Sequence, residues 1–389
     1  MNVDVSVVMP TFNRAHLIGE SIESALRQSL EPREVIVIDD GSSDATFDVV
    51  RRFGDRVTYL RQGNAGKSAA LNRGIAAAAG DWLLVLDDDD LLPSDALRAH
   101  AAALRDSPQA AFSYGRFARF WGDGCDAPHS RDLEEIPGPD DRRLIVRLME
   151  RCFLPNPAWM VRRAAQLEAG PYREDLHRGQ DYEMILRLAR ANPGCFTDCV
   201  TLYQRKHVSE RRSQGRRVLT QDTIAGWIGA EQAIFRHIDD TWRDADFLPW
   251  EVARDDDCAA RLAILQRGVV MFMRKLYDRS ERHLRRYAGM LGEREPDPRE
   301  LRLATGLLGS RYGLDDLLER GEQIAWLRSL GLPRQIHVAM ASQLPWRLKK
   351  LLLQGRIVQA RKLFQLGQET FGAAAMAGAI GNRLRAARA

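Results

Sequence analysis

Long apolar runs are missing from this chain. No stretch approaches the ~18 consecutive apolar residues that a membrane span requires. The nearest, "FGAAAMAGAIG" at 371–381, is short and rich in Gly and Ala. The expectation is a chain without a membrane span. The opening "MNVDVSVVMPTFNRAH" has no basic n-region and no cleavable apolar segment, so it does not read as a signal peptide. Cysteine is scarce as well. Five residues (Cys125, Cys152, Cys195, Cys199, Cys258) form no CxxC pair and no zinc spacing. That argues against a disulfide framework and for reduced cytosolic thiols. A strong charge excess is also lacking: 57 Lys and Arg against 53 Asp and Glu leave +4. That mild balance gives no reason to expect a nucleic-acid partner. No internal repeat of fixed period is visible.

What the chain has in quantity is length and apolar content. Its 389 residues suggest two or three domains, and 45% hydrophobic residues suffice for a core. The first 120 residues alternate short apolar runs with helical patterns. "VSVVM" (5–9), "EVIVID" (34–39), "VTYL" (57–60) and "WLLVL" (82–86) read as strands. Helical patterns separate them at 15–28, near 44–53 and at 68–79. Strands rich in Val, Ile and Leu between helices predict a parallel α/β sheet covered on both faces. Further strands are expected at 110–121 and 156–163, with helices at 142–152 and 181–191. From about 216 onward strand signals vanish, and helices are expected over 217–238, 257–293, 299–329 and 345–385. The division that follows is a first domain over 1–215 and a helical region over 216–389.

In a parallel sheet ligands bind at the carboxyl ends of the strands. Here those ends carry "PTFNR", "DDGSSD", "QGNAGKS" and "DDDD", so four polar loops converge on one crevice. The last is the most pointed. Asp87, Asp88, Asp89 and Asp90 follow directly on a buried strand, where neighbouring charges repel by roughly 1–4 kcal/mol per pair. An acidic run in isolation is a solvated turn. At the mouth of a sheet it suits Mg²⁺ or Mn²⁺, hard cations that pair carboxylates with substrate phosphates. Asp39 and Asp40 end the second strand, either as a turn with a helix cap or as a crevice-facing carboxylate for a ribose or base edge. Gly66 and Lys67 open a helix, a place suited to a diphosphate, though the GxxxxGK[ST] spacing of a phosphate loop is absent. Asp181 opens the amphipathic helix "QDYEMILRL", and by itself reads as an ordinary first-turn acid. His207 sits in the cationic stretch "LYQRKHVSERRS", where a structural role is the commoner one.

Taken in order, "VSVVMPTFNR", "VIVIDDGSSD", "NAGKSAALNRGI", "GDWLLVLDDDD" and "GQDYEMILRL" resemble the family 2 glycosyltransferases of GT-A fold over about residues 3–213. The resemblance implies a mixed, mainly parallel sheet with flanking helices, and a nucleotide-sugar donor, UDP favoured, with inversion at the anomeric carbon. It implies donor contacts from Pro10, Thr11, Phe12, Arg14, Asp40, Lys67, Asp87 and Asp88. Asp89 would hold Mn²⁺ or Mg²⁺, with His207 as a diphosphate or metal contact, and Asp181 would be the catalytic base. Gln180 stands where the family usually has Glu before that base. The acceptor implied is a saccharide, lipid-linked or glycoconjugate hydroxyl in surface polysaccharide synthesis.

Two other readings compete. A nucleotidyltransferase would want a Gly-rich basic loop after the first strand, which "PTFNRAH" lacks. An inactive sugar-nucleotide-binding or interaction module is disfavoured by intact Asp40, Asp89 and Asp181. The helical region remains open between acceptor recognition, homo-oligomer contacts and a membrane-surface role. Residues 341–389 carry nine Lys or Arg against one acid, Glu369, so an otherwise cytoplasmic protein has one basic region able to meet the inner face of a membrane.

Overall fold

The Val- and Ile-rich runs are strands because branched side chains pack well on a pleated surface that is buried on both faces. The computed structural model describes residues 3–121, 132–134, 136, 139–206, 212–213, 216–217, 220–251, 256–308 and 321–386. The chain divides into two compact units: Met1–Asp140 with Cys152–Ala230, and Asp141–Arg151 with Glu231–Ala389.

In the first unit β1 (Val5–Thr11) is buried at every position. It pairs in parallel with β2 (Glu34–Asp39) on one side and β4 (Trp82–Val85) on the other. The strand β3 (Thr58–Arg61) lies parallel outside β2. Beyond β4 the sheet becomes mixed. The strand β7 (Trp159–Arg162) runs antiparallel to both β4 and β5 (Phe112–Trp121). Two further strands pair with β5, the short β6 (Asp132–Leu133) antiparallel and β8 (Gly194–Lys206) parallel. The expected mainly parallel α/β sheet is thus present.

Alternation along β1 sorts its side chains between the two faces. Val5, Val7 and Met9 join a core with Ile18, Ile22 and Ala25 of α1 (Ile18–Leu26) and Leu97 and Leu104 of α4 (Ala96–Asp106). Val8 faces the other way, towards α3 (Lys67–Ala77). There Gly74 allows the close approach: a Cβ at that position would sit 2.4 Å from Ile38 Cδ1 and 2.5 Å from Val8 Cγ1. The helix that carries Lys67 therefore lies tight against β1 and β2. Two more helices complete the unit, α6 (Arg163–Ala169) and α7 (Gln180–Ala191).

Three features depart from the sequence-based expectations. The thirteen-residue β8 was not anticipated. Its pairing with β5 slips around Gly115–Phe117, so apolar residues do not alternate along it, and the period-two signal is lost. The helix expected over 44–53 ends early: α2 is Thr46–Val50, followed by a 3₁₀ turn through Arg56. The segment 257–293 is two helices, α9 (Ala259–Met273) and α10 (Tyr277–Leu291), parted at Lys275, which takes a left-handed φ of +57°.

The second unit is helical. The helix α5 (Leu144–Glu150) belongs to it, although it falls inside the 1–215 span read from sequence. Arg274 donates to the Met149 carbonyl (2.6 Å) and Gln266 to Glu150 (3.0 Å), which tie α5 to the α9 segment. The division between units falls within α8 (Thr220–Thr241). Downstream come α11 (Pro298–Ala304), α12 (Arg334–Ala341), α13 (Leu344–Leu353), α14 (Ile357–Phe371) and α15 (Ala373–Ala386). Among the described residues no helix is long and apolar enough to cross a membrane.

Filling the α3 contact should be costly. Gly74→Val is expected to destabilise the fold by about 1–3 kcal/mol through overpacking, read as a lower midpoint in urea unfolding. Gly63→Ala, with nothing within 4 Å of its added Cβ, should leave that midpoint unmoved.

Candidate functional site

The carboxyl ends of β1, β2, β3 and β4 lie along one edge of the sheet, and the loops that leave them are laced together. Asn13 N–H donates to Ser42 Oγ (2.8 Å), and Ser43 N–H donates back to Asn13 Oδ1 (2.8 Å). Asn13 adopts a left-handed φ of +54°, which Asn tolerates better than most residues, and Gly41 a φ of +85°. The loop after β1 therefore has a fixed course. It carries buried Pro10 and Thr11, then exposed Phe12 and half-buried Arg14.

Asp40 is buried, and its lone pairs are engaged. Its Oδ1 accepts from Gln62 Nε2 and Ala65 N–H, and its Oδ2 from Gly66 N–H, each at 2.8 Å. This carboxylate anchors the loop that leads into α3, a duty that its reading as a crevice-facing acid did not include. Its neighbour Asp39 accepts from Ser42 N–H (2.7 Å) and from the Tyr59 hydroxyl.

The loop after β4 gathers the charge. Lys67 Nζ sits 2.6 Å from Asp87 Oδ1. Arg14 lies 3.8 Å from Asp88 and 3.9 Å from Asp89. Burial works against the Lys67 ammonium, but Asp87 outweighs it, with smaller contributions from Asp181 and Asp89, so its pKa is raised. Burial and the adjacent Asp89 push Asp88 up to about 7, against the opposing pull of Thr11 and Arg14. Asp90 is also raised, by burial and then by Asp89 and Asp87. The crowding expected from the sequence is thus real, since the acids resist being charged together.

That crowding fits a divalent cation. One carboxylate oxygen from each of Asp87, Asp89 and Asp90 lies within 4.8 Å of the others, a hard-oxygen cluster of the kind Mg²⁺ or Mn²⁺ takes. The sequence pointed to Asp89 with His207. The structure groups Asp89 with Asp87 and Asp90, and His207 lies outside the described residues.

The strand β8 holds the acidic loop through Arg205. Arg205 is buried, with its guanidinium 4.6 Å from the centre of the Phe120 ring. Its Nε donates to the Asp89 carbonyl (2.9 Å), its backbone N–H to Asp90 Oδ1 (2.8 Å), and its Nη2 to Glu20 Oε2 (2.6 Å). Backbone bonds between Leu91 and Tyr203, 3.0 and 2.8 Å, add to the tie. The family resemblance places Arg205 with His207 in one RxH segment but assigns it no partner. Nothing local could have paired it with residues some 115 positions earlier.

Asp181 stands in the first turn of α7 after Gly179, whose left-handed φ of +74° turns the chain into the helix. Burial raises its pKa, Lys67 opposes that shift, and Asp87 adds to it. Asp181 therefore lies within electrostatic range of both Lys67 and Asp87. The other acid of that turn, Glu183, is occupied: Arg187 grips it at 2.7 and 2.8 Å while also donating to the carbonyls of Ala169 and Pro171. Tyr172, which sequence reasoning did not single out, joins this wall to α3. Its N–H donates to Asn72 Oδ1 (2.7 Å), and its hydroxyl donates to Asn156 Oδ1 (3.0 Å).

A protein-family model described as "Glycosyl transferase family 2" matches residues 6–167. The succinoglycan biosynthesis protein ExoO of Rhizobium meliloti is 30% identical over 243 residues, covering 60% of this chain and 68% of that protein. An uncharacterized glycosyltransferase of Rickettsia felis is 28% identical over 217 residues. The chain spans only 35% of that relative's length. Among solved structures, S. aureus TarS 1–349 superposes with a TM-score of 0.51 at 15% identity, covering 94% of this chain and 90% of that one. At that identity it speaks to the fold alone.

Asp88 gives the site a pH signature. Its pKa of about 7 in the folded chain exceeds the ordinary ~3.9 of an unfolded Asp. Its contribution to stability is therefore full below about pH 4 and is lost as the pH rises through about 7. In EDTA, Asp88→Asn should melt above the parent at pH 8, and the advantage should shrink as the pH is lowered towards 4. Thermal melts across that range check it.

Proposed function

This chain belongs to glycosyltransferase family 2, and from that membership we propose that it transfers a sugar from a nucleoside-diphosphate donor to an acceptor hydroxyl, with inversion at the anomeric carbon. The observation that carries this reading is the meeting of Asp181, Lys67 and the Asp87–Asp90 loop at the carboxyl edge of one sheet. Residues 1–215 handle the donor and the chemistry in this proposal, and residues 216–389 are left for the acceptor or for assembly. ExoO is named for succinoglycan biosynthesis. By analogy the acceptor here is a growing surface glycan or glycoconjugate, and a UDP-sugar is the first donor to test.

Asp87, Asp89 and Asp90 would hold Mn²⁺ or Mg²⁺, which when bound would neutralise charge on the leaving diphosphate. Arg14 and Lys67 border the same loop and supply positive charge to phosphate oxygens. Thr11 and Phe12, at the end of β1, face the nucleoside, and Asp40 serves it indirectly by fixing the loop at 62–66. Asp181 takes the proton from the acceptor hydroxyl as its oxygen attacks the anomeric carbon, and the diphosphate departs from the opposite face. A raised pKa suits that task, because the carboxylate is a stronger base than an exposed one. With Glu183 committed to Arg187, no second acid in that turn competes for the role.

Two measurements test this. Asp181→Asn should cut transfer by at least about a hundredfold while leaving nucleotide affinity near that of the parent; a surviving rate would move the base elsewhere. Donor binding and turnover should require Mn²⁺ or Mg²⁺, and Asp89→Ala should abolish both. Full activity in excess EDTA would falsify the metal assignment, and donor binding without any transfer or hydrolysis would favour an inactive binding module.

A further inference from the structure

The turn between α13 and α14 leaves four large aliphatic side chains in solvent. Leu352 and Leu353 close α13 at 57% and 78% exposure, and Ile357 and Val358 open α14 at 67% and 66%. They stand within seven residues of one another, around Gly355, which turns the chain with a φ of +70°. Scattered exposed aliphatics are ordinary on a protein surface, but a cluster at one helical tip marks a contact site.

The helices behind the tip are ordinary packed elements on their other side. Leu344 and Leu351 of α13, and Ala360, Leu363 and Phe371 of α14, are buried in the core of the unit. The exposed stripe of α13 runs Trp346, Lys349, Lys350, Leu353, the spacing of one helix face. The Lys350 ammonium lies 5.4 Å from the centre of the half-exposed Trp346 ring. On α14 the exposed Arg361 and Lys362 follow Ile357 and Val358 by one turn. From the tip inward the surface therefore passes from bare aliphatic carbon to four cations one helical turn away, with the Trp346 indole beside Lys350.

We propose that this tip docks on a negatively charged lipid surface, with Leu352, Leu353, Ile357 and Val358 entering the acyl boundary and the four cations meeting headgroup phosphates. The arrangement matches a bilayer interface, which takes aliphatic carbon deepest and Lys and Arg at headgroup level about one helical turn away, with the Trp346 indole beside Lys350. Charge also selects this occupant over a second copy of the chain. Residues 341–389 hold nine cations against the single acid Glu369, so self-association through this face would set like charges mostly against each other. An anionic lipid surface supplies the missing charge.

The experiment uses the full chain and vesicles of phosphatidylcholine alone or mixed with phosphatidylglycerol. Sedimentation with the anionic vesicles should exceed that with neutral ones by at least about tenfold in affinity, and should weaken as salt is raised. Leu353→Glu with Ile357→Glu should lower vesicle affinity at least about tenfold without lowering the melting temperature, since both side chains are already in water. Lys349→Gln, Lys350→Gln and Lys362→Gln together should remove the preference for phosphatidylglycerol. The proposal is overturned if the parent ignores anionic vesicles, or if the double Glu variant sediments as the parent does. It is equally overturned if light scattering shows an oligomer that the Glu variant dissociates, because the face then belongs to a second copy. The readout is binding rather than transfer, so its failure and failure of the transferase reading are separate results.

Discussion

Four consecutive carboxylates at the end of a buried strand are the constraint around which the first unit is arranged. Such a loop is unstable by itself, and the fold compensates from several directions. Lys67 pairs with Asp87, Arg14 approaches Asp88 and Asp89, and Arg205 secures the Asp89 carbonyl and the Asp90 carboxylate. Compensation is incomplete, as the raised pKa values of Asp88 and Asp90 show. The remaining imbalance would suit a cation, as a finished ion-pair network would not.

Each of the compensating cations is placed by a different part of the sheet. Arg14 depends on the loop after β1, Lys67 on the packing of α3 through Gly74, and Arg205 on the parallel pairing of β8 with β5. Asp40 contributes by holding the approach to α3, and Tyr172 with Asn72 fixes the segment that leads to Asp181. A site of this kind cannot be dismantled one residue at a time without disturbing the loops that present its other members. That is why nucleotide affinity, stability and turnover must be read separately in any variant.

The second unit uses charge differently. Asp239 is buried and accepts from Arg267, Arg279, Arg282 and His283 at 2.7–2.8 Å, so its desolvation is answered in full by surrounding donors. Breaking such a network by removing one partner typically costs about 3–5 kcal/mol. Here the charges serve structure: Asp239 itself is closed to solvent and every one of these cations is paired with it. At the acidic loop of the first unit the charges share a mouth and compete, and at the tip of α13 and α14 they stand in solvent beside bare carbon.

Much of this was legible in the chain itself. Apolar runs of five or six residues between helical patterns gave the parallel half of the sheet, because strand burial on both faces leaves no room for polar alternation. Loops at the carboxyl ends of those strands must share an edge, so Arg14, Asp40, Lys67 and Asp87–Asp90 could be brought together without coordinates. Contacts between distant segments could not. That Asp40 is an anchor, that Glu183 is locked to Arg187, and that Arg205 steadies the acidic loop all depend on which strands neighbour β5 and on how α7 meets the segment at 169–172. The bulged β8 hid from periodicity for the same reason, since its pairing is set by its partner rather than by its own pattern. Local sequence determined which elements form and which loops share the carboxyl edge; only tertiary packing decided which of their charged side chains are already engaged.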